Sequence, residues 1–152
     1  MAVVTSVLAV VFLRGDPRAI LVVVVLSTLS GAVAWTTDWN DVYGRSWFGL
    51  HRQSFLTVAE LGRSGPLAGQ LRRDAAELPA GLSPIAVNGS VSIVGECDRT
   101  PVLFVAAFTG IPDGAFGWLH LTCDRWTGEY LDGYGDPLIP EIDLGDGWWW
   151  AG

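Results

Sequence analysis

Nineteen consecutive residues without a charge, Ala19–Thr37, constrain this chain more than any other feature. The first eight, Ala19–Leu26, are apolar on every face of a helix, and a small protein has little interior in which to enclose such a helix on all sides. As a helix the run measures about 28 Å, close to the roughly 30 Å of a hydrocarbon core. Asp16 is placed to cap it and Pro17 to occupy its first position. Trp35 and Trp39 stand at its far end, where aromatic rings suit a membrane interface.

The flanking charges orient the run. Arg14 and Arg18 precede it, and Asp38 and Asp41 follow it. The positive-inside bias therefore predicts a cytoplasmic N-terminal side and a C-terminal domain outside. The preceding apolar run, Ala2–Leu13, is about 18 Å as a helix and too short to cross alone. Paired with the longer run as a hairpin, it leaves the C-terminal domain outside as well. A cleavable signal peptide competes with a retained anchor. In that reading Arg14 and Arg18 form the basic region, Ile20–Leu29 the apolar core, and Ala32-Val33-Ala34 a small-x-small site before Trp35, giving a secreted protein.

Beyond the run the character changes. The chain has 16 acids against 9 basic residues, all of them Arg, for a net charge of −7. From Gly95 onward there are 10 acids and 2 Arg. Such a chain offers no phosphate-neutralising surface, which argues against nucleic acid as a partner. The organisation predicted is a membrane anchor or signal segment over 1–37, a juxtamembrane and helical region over 38–83, and an antiparallel β region with an acidic, Trp-rich tail over 84–152.

Trp35, Trp39, Tyr43 and Trp47 recur every four residues, a slowly drifting stripe on a helix. It suits either a helix at headgroup level or packing onto the following domain, and Gly44 weakens a continuous helix. Pro66–Leu78 reads as a helix with Leu67, Leu71, Ala75 and Leu78 on one face. Gln53–Leu61 fits a helix or, through Phe55–Val58, a strand. After Pro84 the period becomes two. Ile85–Val87, Asn88-Gly89 and Ser90–Val94 read as a tight hairpin. Val102–Phe108 is a continuous apolar strand suited to burial on both faces. From Ala115 the pattern alternates, with Phe116, Trp118 and His120 facing one way and Gly117, Leu119 and Leu121 the other. The fold predicted is α+β: an N-terminal transmembrane or signal helix, then a helix packed on an antiparallel meander of about four strands.

Cys97 and Cys123 favour a disulfide in an exported domain. In a simple meander they stand two strands apart, about 9.6 Å, too far for a bridge. The turn after Cys97, Asp98–Pro101, must therefore fold over, or the two strands must be neighbours.

The tail is the most unusual stretch. Asp132 and Asp136 lie among glycines, followed by Glu141, Asp143, Asp146 and Trp148-Trp149-Trp150. Trp118, Trp126 and Trp148–Trp150 beside Asp132 and Asp136 form a candidate binding surface, because indole faces stack on sugars and carboxylates bond their hydroxyls. Glycine-spaced carboxylates can also wrap calcium, although no EF-hand spacing is present. No catalytic, metal or cofactor motif occurs: GxGxxG, P-loop and HExxH are all missing. His51 and His120 read as structural, the alternative being a small hydrolase that pairs His120 with Asp98 or Asp124. The function these features suggest is binding or assembly at the cell envelope, through a protein or glycan partner. A secreted carbohydrate-binding or calcium-stabilised domain is the alternative.

Overall fold

The computed structural model describes residues 17–64, 75–97, 100–110, 114–123, 131–133 and 135–152. The chain divides into two compact units, Met1–Trp39 and Asn40–Gly152. The first Ala2–Leu13 run, Asp16 and the 66–74 part of the expected helix lie outside the described residues.

In the first unit, helix α1 spans Pro17–Thr36, 20 residues with none buried. Leu21, Leu26, Leu29 and Val33 are all more than half exposed. The hydroxyls of Thr28, Thr36 and Thr37 donate to the carbonyls of Val24, Ala32 and Val33 one turn back. The polar side chains of this helix thus need no water there. The indole N–H of Trp39 donates to the Ala34 carbonyl, near the helix end.

The second unit is α+β, a helix on an antiparallel sheet. Helix α2 (Trp39–Ser64) runs through Gly44 and departs from helical backbone angles only at His51. A ring nitrogen of His51 lies 3.1 Å from the Trp47 carbonyl, the group that the residue-51 N–H would bond in an undisturbed helix. Gln53–Leu61 is therefore helical. Phe55, Val58 and Ala59 are buried at helical spacing.

The sheet comprises β1 (Ala75–Glu77), β2 (Ser90–Cys97), β3 (Thr100–Thr109), β4 (Ala115–His120), β7 (Pro140–Gly145) and β8 (Trp148–Ala151), in the order β1-β2-β3-β4-β8-β7. Three strands of the expected meander are β2, β3 and β4. A separate two-stranded ribbon pairs β5 (Asp132–Gly133) with β6 (Asp136–Pro137). All ladders are antiparallel. Residues Val102–Ala106 of β3 are all buried, as a central strand covered on both faces requires. One face packs Leu103, Val105, Trp118, Trp148 and Trp150 against Phe48, Phe55, Val58 and Ala59 of α2. The other packs Val102, Phe104, Ala106, Leu119 and Ala151 under Leu121, Leu131 and Leu138.

Two expectations are corrected. Ala75–Glu77 is a strand rather than the end of a helix, because β2 offers it an open edge: Ala76 pairs with Val91. Ile85–Val87 is not a hairpin arm. Pro84 lies inside a 3-10 turn, Ser83–Ile85, which carries Ile85 into the core. Gly89 still makes a turn at φ 65, but β1 lies across from β2, with the Leu78 N–H donating to the Gly89 carbonyl.

Gly44 shows how closely helix and sheet approach. A Cβ there would stand 2.6 Å from the Trp150 ring. The bare backbone lets the Trp118 indole N–H donate to the Gly44 carbonyl at 3.2 Å within the core.

Candidate functional site

Cys97 ends β2, and Cys123 stands three residues past β4, outside the sheet. They are joined as a disulfide with Cα atoms 5.8 Å apart. The bridge forms because the chain leaves the sheet after β4 and passes over the face that buries Cys97, where Cys123 packs with Leu121. Cys97 stays in the ladder, paired with Thr100, and the two strands are not neighbours; the segment after β4, rather than the turn after Cys97, closes the distance.

The structure separates the candidate binding residues. Trp118 and Trp148 are fully buried and Trp150 is 2% exposed. Their rings meet Phe55, Phe48 and one another at 5.0–6.4 Å. No face of these three is open for a sugar to stack on. The cause is the face they share: all three stand on the side of the sheet that α2 covers with Phe48, Phe55 and Val58. Trp149 points to the opposite face and is half-buried. Trp126 lies outside the described residues.

Asp132 and Asp136 are exposed on the β5–β6 ribbon. A carboxylate oxygen of Asp132 accepts from the Gly135 N–H at 2.7 Å. Asp143 does the same for Gly145 at 2.8 Å. The acid–glycine spacing is thus employed in turns, where an aspartate replaces a backbone acceptor and glycine adopts positive φ. Among the described residues no three His, Cys, Asp or Glu side chains gather as metal ligands.

His120 closes β4 at 4% exposure, with its ring 5.0 Å from Trp148. Burial pushes it down to about 4, the Arg63 charge adds to the fall, and a hydrogen bond with the Asp146 backbone opposes it. It is a neutral, enclosed ring at neutral pH, out of reach of a substrate. Asp98 and Asp124, the expected partners for hydrolysis, lie outside the described residues. His51 stacks on Trp47 at 4.2 Å.

Beside His120, the β7–β8 hairpin turns through Asp146 (φ 56) and Gly147 (φ 78). Both Nε and Nη2 of Arg52 donate to Asp146 Oδ2, at 2.8 and 2.6 Å, fastening this turn to α2.

The helix Pro17–Thr36 is the described element long and apolar enough to cross a bilayer. The functional features are therefore an N-terminal apolar helix, a disulfide-bonded α+β unit, and a surface whose exposed acids include Asp132, Asp136, Glu141 and Asp143. Comparisons with protein families, with curated proteins and with solved structures gave no match.

Proposed function

We propose that the chain is a membrane-anchored, extracytoplasmic binding or assembly module of the cell envelope. Residues 19–37 are its membrane contact, and the α+β unit acts outside the cell by tethering. The observation that carries this reading is α1: 20 residues, none buried, with Thr hydroxyls bonded to its own backbone. In water such a surface costs free energy at every exposed Leu and Val, and in hydrocarbon that cost disappears. The disulfide supports the outside placement, because oxidising compartments keep such bonds.

The acidic surface, with Asp132 and Asp143, is the docking face for a partner. Burial of Trp118, Trp148 and Trp150 removes these three rings as a platform, which favours a basic envelope-protein segment over a glycan. Alkaline carbonate extraction of membranes, followed by N-terminal sequencing of the mature protein, tests the anchor. Retention in the pellet with residues 17–36 intact is expected. A mature N-terminus at Trp35 in a soluble fraction refutes the anchor and assigns α1 to a signal peptide.

A further inference from the structure

The second unit has two unlike ends. At one, β3 finishes and β4 begins (Thr109, Ala115), β8 finishes at Ala151, and β7 begins at Pro140. Val87 is held there by its N–H donating to the Ala106 carbonyl, and Ile139 by its N–H donating to the Gly152 carbonyl. Phe108 stacks on Phe116 at 5.1 Å, Phe116 meets Trp150 at 5.6 Å, and Tyr43 meets Trp150 at 6.0 Å. These contacts place the first turns of α2 at the same end. The opposite end carries the Arg52–Asp146 pair, Glu96 and the disulfide.

Among the described residues, the large apolar side chains that this unit exposes are Val42, Tyr43, Leu50, Val87, Phe108 and Ile139. All but Leu50 belong to the first end. Val87 is 60% exposed, Phe108 50% and Ile139 57%. Strand order spreads them along a row, from Val87 beside β3 to Ile139 beside β7.

We infer that this end is a lipid-docking rim: Val42, Tyr43, Val87, Phe108 and Ile139 seat the unit in the zwitterionic headgroup zone of the bilayer. The inference rests on the anchor reading. Asn40, the first residue of this unit, follows Thr36 by four residues, a reach of at most about 14 Å. The end from which α2 starts is thus confined near the surface that an inserted α1 leaves. Apolar side chains confined there enter the boundary between headgroups and acyl chains, as the apolar faces of interfacial helices do. Glu77, Asp136 and Glu141 lie at the same end of the sheet, and their charge disfavours an anionic surface.

The test uses the full chain in phosphatidylcholine vesicles that carry a doxyl quencher near the headgroup, or, to read the Val25 probe, one near the centre of the acyl chains. The native disulfide is kept and one bimane-labelled cysteine is added per variant. Val87→Cys, Phe108→Cys and Ile139→Cys report the rim, Leu50→Cys and Glu96→Cys the rest of the unit, and Val25→Cys the anchor. Rim probes should lose at least about twofold more intensity than Leu50→Cys, as burial of roughly 5–10 Å at the interface requires. Equal quenching at rim and control sites, with Val25→Cys strongly quenched, overturns the rim and leaves the anchor standing. An unquenched Val25→Cys overturns the anchor and the rim with it. Disulfide cross-linking of Phe108→Cys between copies, without lipid quenching, assigns the rim to a second copy and overturns the proposal. The three rim sites are independent, so one misfolded variant leaves two that decide.

Discussion

Two glycines of helix α2 should respond to alanine with opposite signs. At Gly49 an added Cβ meets nothing within 4 Å. The substitution removes a helix-interior glycine at an exposed position and should stabilise by up to about 1 kcal/mol. At Gly44 the same gain applies, but the Cβ lands 2.6, 2.8 and 3.0 Å from three ring atoms of Trp150. That ring is 2% exposed and is held by Trp118, Phe116 and Tyr43, so it has nowhere to retreat. Overpacking of this kind costs about 1–3 kcal/mol. Moving the helix outward instead stretches the Trp118–Gly44 hydrogen bond, worth about 1 kcal/mol. The balance is a net loss of up to about 2 kcal/mol for Gly44→Ala, at roughly 4 °C of melting temperature per kcal/mol in a domain of this size. Thermal unfolding of the full chain in detergent, followed by near-ultraviolet circular dichroism, reads both variants on one scale. A Gly44→Ala protein that melts as high as Gly49→Ala would refute the close helix–sheet contact.

Further outcomes follow from the same packing. Replacing Cys97 and Cys123 with serine together should cost about 3.5 kcal/mol in the chain-entropy account, measured by urea unfolding. His120 falls from 6.5 to about 4 on folding. Between those values the unfolded state binds the extra proton, so stability should drop as pH falls through this window and level off below it, by about 3 kcal/mol in all. The difference between wild type and His120→Gln across that window isolates the effect, and parallel curves would refute it. Gly147→Ala should cost about 1–3 kcal/mol by urea unfolding, because the position combines φ 78 with a Cβ 2.7 Å from the Leu121 carbonyl oxygen.

Elements that announce themselves by composition or strict period were legible. The apolar α1, the β3 strand with Val102–Ala106 buried and the alternating β4 each depend on one local pattern, and each lies where that pattern puts it. The cysteine pair was legible for chemical reasons, but the segment after β4 that closes the bridge was not. What escaped depends on partners distant in sequence. Ala75-Ala76-Glu77 consists of good helix formers and becomes a strand only because β2 has a free edge. The tail suggested a surface because aromatic and acidic residues alternate there with glycine. Its hairpin signal, Asp146-Gly147, has the same character as Asn88-Gly89 but was hidden among other acids. Once β8 pairs with β4, Trp148 and Trp150 fall on the face that α2 covers, and those two rings are interior. The rim residues Val87, Phe108 and Ile139 gave no sequence signal beyond their hydrophobicity, because only the folded sheet brings them to one end.

The aromatic stripe shows how one spacing serves two environments. Trp35 belongs to α1 whereas Trp39, Tyr43 and Trp47 lie on α2, where residues four apart drift by about 40° per step, so the spacing does not run along one helix face. Trp35 is 91% and Trp39 58% exposed, whereas Tyr43 stacks on Trp47 and meets Trp118 and Trp150. Trp47 also packs against the core and against His51. Alanine should therefore separate the pair. Trp47→Ala removes a partly buried ring and should lower stability by roughly 2–3 kcal/mol, toward the low end of aromatic truncations. Trp35→Ala should leave the unfolding transition of the second unit unchanged, since that ring makes no part of either core cluster. Equal destabilisation by the two substitutions, read by urea unfolding of the full chain, would mean that the stripe works as one packed surface and that the change of environment between Trp39 and Tyr43 is wrong.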